Sequence, residues 1–208
     1  MKVSTVILAN GALPVHSVPV ALFAQAARVV CCDGALVKAR TLGREPDLVV
    51  GDGDSLDTPA KAALGARFVP VPEQETNDLA KAFRVAIERF GTENIVILGA
   101  DGLREDHFLG NVFRLPGFAE QAADIALVTN AGVFTVVSGT RTYACAPNAP
   151  VSIFAPEPGT EATSTGLAWP LAGVPLAPLY AATLNRTTGS SFTLAASRPL
   201  LVYQPYVR

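Results

Sequence analysis

Val49-Val50-Gly51-Asp52-Gly53-Asp54-Ser55-Leu56-Asp57 (VVGDGDSLD) passes from an apolar run straight into a loop with three carboxylates and two glycines. A short apolar run closed by Gly and Asp has the pattern of a buried strand. The same texture recurs on both sides of it. VSTVILA, RVVCC, DLVV, RFVPV and NIVIL are strand-like, and helical patterns separate several of them, around Leu22 to Ala27 and in ALVKARTL. Strands alternating with helices, up to about residue 130, predict a parallel sheet covered on both faces.

The best-defined helix follows RFVPV. Leu79, Phe83, Ala86, Ile87 and Phe90 recur at three- and four-residue spacing, with Thr76 or Asn77 placed to cap the helix and Gly91 to stop it. Those apolar residues are expected to be core. Beyond about Thr140, Pro, Gly, Thr and Ser punctuate the short runs VSIFA, SFTLA and LLVYQ, which predicts a small, mostly β second domain. The division is drawn as residues 1–138 and 139–208, with YQPYVR as a last strand and its exposed end.

The chain has 208 residues, half of them apolar, with 16 Lys and Arg against 18 Asp and Glu. This balance gives no electrostatic footprint for nucleic acid. Mean hydropathy is +0.33, yet Pro, Gly or charge cuts every apolar stretch before the roughly 18 to 20 residues of a spanning helix. MKVSTVILANGALPV is read as a buried first strand ending in an Asn-Gly turn rather than a secretory leader. Cys31, Cys32 and Cys145 are odd in number and suit neither a disulfide framework nor a zinc site, so a reducing cytoplasm is expected.

In a parallel sheet, ligands bind at the carboxyl ends of the strands. Asn10-Gly11 follows the first apolar run, Asp33-Gly34 the second, and Gly51 to Asp54 the third; Glu73 to Asp78 and Gly99 to His107 follow the last two. Each loop alone has an ordinary structural reading, since Asp and Gly are turn residues and Asn77 or Asp78 can cap a helix. Together they crowd carboxylates on one rim, where repulsion calls for a cation. A site of carboxylates with no His or Cys cluster suits Mg²⁺ shared with a phosphate.

Narrower alternatives exist. A calcium loop starting at Asp52 would need Gly and Glu where Asp57 and Ala63 stand. An aspartyl-phosphate hydrolase could use Asp52 as nucleophile and Asp54 as acid/base. GADGLREDH offers a glycine turn and Arg104 to phosphate, although it lacks the Gly-Lys-Ser/Thr of a Walker A loop. His16 reads as a surface loop residue, and His107, at a helix start, as structural.

This ordered set of loops resembles the thiamin pyrophosphokinase family: Asn10-Gly11, Asp33-Gly34, Gly51 to Ser55, Glu73 to Ala82, and Gly99 to His107 with Asn111 beyond. Thr165-Gly166-Leu167-Ala168-Trp169-Pro170-Leu171 and Thr183-Leu184-Asn185 are similar to stretches of its second domain. The chain departs from the family's pattern at Leu103, where a glycine is common, and at Asn77, Leu79 and Thr183. The resemblance implies a homodimer of an α/β catalytic domain and a smaller β-sandwich domain, with thiamin in a cleft between subunits and ATP on the α/β rim.

The implied reaction is transfer of a pyrophosphoryl group from ATP to the thiamin hydroxyl, releasing AMP. Asp52, Asp54 and Asp78 would hold Mg²⁺ and Asp33 would support them. Gly99 and Arg104 would meet ATP, with Arg104 on its phosphates, and Asp106 would orient metal waters or the nucleophile. Gln74 would face the thiamin pyrimidine. Trp169, from the partner subunit, would stack on the flat thiamin cation, with Thr165, Thr183 and Asn185 as hydrogen-bonding groups. Spacing alone does not single out the base, because acids within reach of one another titrate as a group. Against this stand two other classes, the Asp52-dependent phosphohydrolase and a nucleotide-binding module without turnover.

Overall fold

The computed structural model describes residues 2–178 and 180–206; Val207 and Arg208, the expected exposed end, lie outside them. The chain divides into two compact units, Met1–Asn130 and Ala131–Arg208.

The first unit alternates strand and helix: β1 Thr5–Leu8, α1 Ser17–Gln25, β2 Arg28–Cys32, α2 Leu36–Thr41, β3 Leu48–Gly51, α3 Thr58–Leu64, β4 Phe68–Pro70, α4 Asp78–Phe90, β5 Ile95–Leu98, α5 Glu105–Ala119 and β6 Ala126–Val128. All pairings among its strands are parallel, in the order β6-β5-β1-β2-β3-β4. The four central strands β5, β1, β2 and β3 are almost entirely buried, as uninterrupted apolar runs require. The chain leaves β1 toward β2 on one side and reaches β5 on the other. This reversal opens a crevice at the carboxyl ends of β1 and β5.

α4 forms as its spacing predicts. Asn77 Oδ1 accepts the Ala80 N–H at 3.0 Å, Gly91 ends the helix at φ 88°, and Leu79, Phe83 and Ala86 are buried. Phe83 stacks on Phe118 of α5 with ring centroids 4.2 Å apart. α3 was not anticipated. It is short and buries only Leu64, so it shows little apolar periodicity, but Asp57 caps it by accepting the Ala60 N–H and a proline stands in its first turn. His16 is not an idle loop residue: its Nδ1 accepts the Val18 N–H at 3.2 Å and caps α1.

The second unit contains β7 Gly132–Ala144, β8 Pro150–Ala155, β9 Glu161–Thr165, β10 Ala172–Pro175, β11 Tyr180–Arg186 and β12 Ser191–Pro205. Because β7 runs through residue 138, the division between units falls ahead of the one drawn from composition. SFTLA and LLVYQ belong to one long strand, β12, whose register shifts between Ala196 and Leu200. Before the shift β12 pairs with β9, after it with β8, and β7 follows it throughout. Val151, Ile153, Leu167, Leu171, Phe192, Leu194 and Val202 share one buried cluster.

Candidate active site

The loops after β1 and β5 are zipped together by backbone bonds. Gly11 N–H donates to Gly99 O at 2.6 Å and Ala12 N–H to Asp101 O at 2.6 Å. A Cβ on Gly11 would stand 2.4 Å from Asp101 O, so only glycine permits this approach. Gly99 is buried at φ 63°, and its role in this geometry is the turn itself. Lys38 donates to the backbone and side-chain oxygens of Asn10, which fixes the first loop.

Asp33 organises the loop quoted at the outset. The residue is 3 % exposed, and its carboxylate accepts the Gly34 N–H at 2.7 Å and the Gly53 N–H at 3.0 Å. It crosses the backbone of Gly51 so closely that a Cβ there would meet Asp33 Cγ at 2.5 Å. Burial pushes Asp33 above its ordinary pKa, the two N–H bonds oppose the shift, and the charges of Asp78 and Asp52 add to it. Gly51 thus makes room for the carboxylate beneath the loop, and Gly53 supplies an N–H to it.

A cavity of about 480 Å³ opens over these loops. Asn10 and Gly11 line it from β1, Cys32 from β2, Asp52 from β3, Gln74 and Asp78 from β4 into α4, and Leu103, Arg104 and His107 from β5 into α5. Asp52 Oδ1 accepts the Asp54 N–H at 3.0 Å and Oδ2 accepts the Gln74 amide at 3.0 Å. Those two bonds, and the Lys81 charge beyond them, hold Asp52 below the usual carboxylate range. Asp33, Asp52 and Asp78 therefore share one electrostatic neighbourhood. Asp54 is exposed and outside the residues lining the cavity.

Lys81 has no functional signal of its own in the sequence, because a lysine in an amphipathic helix normally faces solvent. Here it is 1 % exposed, lines the cavity and pairs with Asp78 at 3.3 Å. The rim thus carries a buried cation of its own, so crowded acids do not by themselves demand a metal. Its position among Ala80, Ala82 and Phe83 was the available signal.

Arg104 and Asp106 grip each other, Nε to Oδ1 at 3.0 Å and Nη2 to Oδ2 at 2.5 Å. The guanidinium pushes Asp106 down to about 2. Both are exposed, and Arg104, with His107, lines the cavity. Asn111 is buried; it accepts from the Asn77 side chain at 3.0 Å and donates to Ala100 O at 3.2 Å, tying the start of α4 to the β5 loop. Leu103 projects at the cavity wall, 66 % exposed.

The oxygen-rich set Asp52 and Asp78 fits Mg²⁺, which takes one or two protein carboxylates and fills its sphere with water and substrate phosphate. Among the described residues no group of three His, Cys, Asp or Glu is placed to hold a metal ion, so Asp52, Asp54 and Asp78 do not form a ligand cluster by themselves. Cys32 contributes no thiolate, since burial, then the Asp78 charge, raises its pKa well above the ordinary value.

In the second unit, Trp169 is 63 % exposed and therefore not a core plug. Thr165 and Thr183 are also exposed. Asn185 is buried, and its amide bonds to the backbone of Trp169 and Arg186.

A family model described as thiamin pyrophosphokinase, catalytic domain, matches residues 20–127, and one described as thiamin pyrophosphokinase, substrate-binding domain, matches residues 132–203. The chain belongs to the thiamin pyrophosphokinase family. Among solved structures it is similar to the thiamin pyrophosphokinase of Geobacillus thermodenitrificans, at 26% identity and a TM-score of 0.76, covering 98% of this chain and 97% of that one. The thiamine pyrophosphokinase of Bacillus subtilis shares the fold at 22% identity and a TM-score of 0.79, covering 99% and 100%. That of Candida albicans shares it at 16% identity and a TM-score of 0.78, covering 98% and 89%. No curated protein matches the chain. With both family domains matched, the hydrolase and non-catalytic readings lose their support.

Proposed function

We propose that the chain transfers a pyrophosphoryl group from ATP to the hydroxyl of thiamin, giving thiamin diphosphate and AMP, with Mg²⁺ required. The observation that carries this reading is the cavity at the sheet's reversal point, with Asp52, Asp78 and the buried Lys81 on one wall and Arg104 and His107 on another. The ATP phosphates lie there between cationic and acidic groups. Arg104 leaves Asp106 to meet phosphate oxygens, because a polyanion at the cavity mouth competes for an exposed guanidinium.

Asp52 and Asp78 hold the ion, with Asp54 exposed beside them. Mg²⁺ supplies neutralisation of phosphate charge, which is most of what such a transfer demands. Asp33 keeps the loop in register from below. Gln74 orients Asp52 and is positioned to meet substrate. Asp106, once released, orients the attacking hydroxyl or the waters around it. Thiamin takes the exposed face of Trp169, and the strands of the second unit form the β-sandwich that carries it. A homodimer and a cytoplasmic location complete the proposal; three free cysteines accord with the latter.

The test is incubation with ATP, Mg²⁺ and thiamin. AMP and thiamin diphosphate in equal amounts support the reading. Inorganic phosphate released without thiamin, or no product at all, would overturn it. A folded Asp54→Asn protein with normal turnover removes Asp54 from the metal set.

A further inference from the structure

The single tryptophan sits in a loop fastened at several points. Leu167 and Leu171 are buried on either side of it, Ala168 N–H donates to Arg186 O at 2.8 Å, and Leu171 N–H donates to Ser164 Oγ at 2.7 Å. Between these anchors one side chain fastens Trp169 itself. Asn185 Nδ2 donates to Trp169 O at 2.7 Å, and Oδ1 accepts the N–H groups of Trp169 at 3.2 Å and Arg186 at 2.8 Å. A side-chain amide thus meets both backbone groups of one residue, as a paired strand would.

The backbone is bent to permit this. Leu184 stands at φ 61°, a left-handed conformation uncommon for a bulky apolar residue. The β11–β8 register shifts between Ala182 and Asn185, so that Leu184 is 73 % exposed while the next side chain, Asn185, is 3 % exposed. Strain held at one residue to bury the next points to a function for the second. Asn185 has both acceptor positions filled and one of its two amide hydrogens used within the chain. Its chief task is internal.

We propose that Asn185 is a positioning residue that fixes the Trp169 loop, so that the indole is presented in one orientation before thiamin arrives. This rests on the reading of Trp169 as the thiamin platform. A preformed aromatic face binds more tightly because less ordering accompanies binding.

Trp169 is the only tryptophan, so its fluorescence reports this loop alone. In Asn185→Ala, time-resolved anisotropy shows faster, wider indole motion, and KM for thiamin rises about tenfold while kcat and KM for ATP stay within about twofold. Ser164→Ala removes another of the loop's fastenings and gives the same pattern more weakly, which keeps the test open should Asn185→Ala fold poorly. Unchanged anisotropy in both variants, or equal loss in kcat and both KM values, overturns the assignment. Trp169→Ala separates the two readings: an unchanged KM for thiamin there refutes the platform, whereas the anisotropy of Asn185→Ala and Ser164→Ala, which keep the indole, still measures the hold of Asn185 on the loop.

Discussion

Gly51→Ala adds one methyl group where the first unit has no room. The new Cβ would stand 2.5 Å from Asp33 Cγ and 2.6 Å from its Oδ2, against about 3.5–4.0 Å for a comfortable contact between carbon atoms. The carboxylate must retreat by about 1 Å. Its bonds to Gly34 and Gly53, at 2.7 and 3.0 Å, then stretch out of range. A hydrogen bond to a charged group is worth about 1.5–3 kcal/mol, and partial relaxation leaves an expected loss of about 3 kcal/mol for the pair. In a chain of this size that lowers the melting temperature by about 6–12 °C.

Gly51 is not among the residues with positive φ, so backbone strain does not confuse the result. Urea unfolding of both single variants and the double variant Asp33→Ala/Gly51→Ala isolates the clash. The methyl group should cost well under half as much once Asp33 is gone, a coupling above about 1 kcal/mol. A loss below about 0.5 kcal/mol for Gly51→Ala, or an equal loss with and without Asp33, refutes the reasoning.

Leu184→Gly places glycine at a left-handed position and gives up an exposed side chain, so stability should be unchanged or raised by up to about 1 kcal/mol; a clear loss in urea unfolding would mean that Leu184 packs against something. Burial pushes the Cys31 thiol up to about 12 and that of Cys32 upward as well, so a colourless disulfide reagent should label Cys145 alone in the folded chain and all three cysteines in urea; rapid labelling of two or more in the folded chain contradicts this. Hydrogen bonds from Thr76 and Arg84 hold Glu73 down to about 2, below its ordinary 4.5. With the folded value depressed, Glu73 adds stability above about pH 4.5 that disappears as pH falls toward 2. Melting temperatures of the parent and Glu73→Gln should therefore converge across that window; a constant gap rejects the assignment.

What was legible in the sequence and what was not divides along physical lines. α4 could be read because 13 residues with a strong apolar stripe, an Asn cap and a terminal Gly are all local signals. The strands of the first unit could be read because parallel strands buried on both faces have no polar residue to blur them. α3 escaped because a short exposed helix lacks periodicity, although Asp57-Thr58-Pro59 marked its start. β12 looks like two strands in the sequence because Ser197-Arg198-Pro199 resembles a turn, whereas the long partner β7 carries the pairing past it.

Within the site, the sequence brought Asp33, Asp52 and Asp78 to one rim, because the carboxyl ends of parallel strands must converge. It could not separate their roles. That Asp33 lies beneath Gly51, that Lys81 is buried against Asp78, and that Asn185 turns inward on Trp169 are all contacts of tertiary packing. No spacing rule encodes them.

The account rests on Asp52 and Asp78 joining a divalent ion to the phosphates of ATP. Calorimetric titration of ATP into the intact chain and into Asp52→Asn/Asp78→Asn, each with and without Mg²⁺, measures that link. Affinity in the intact chain should rise at least about tenfold with Mg²⁺, and the double variant should lose that gain. Equal affinity with and without the ion, or a full Mg²⁺ response in the variant, would contradict it.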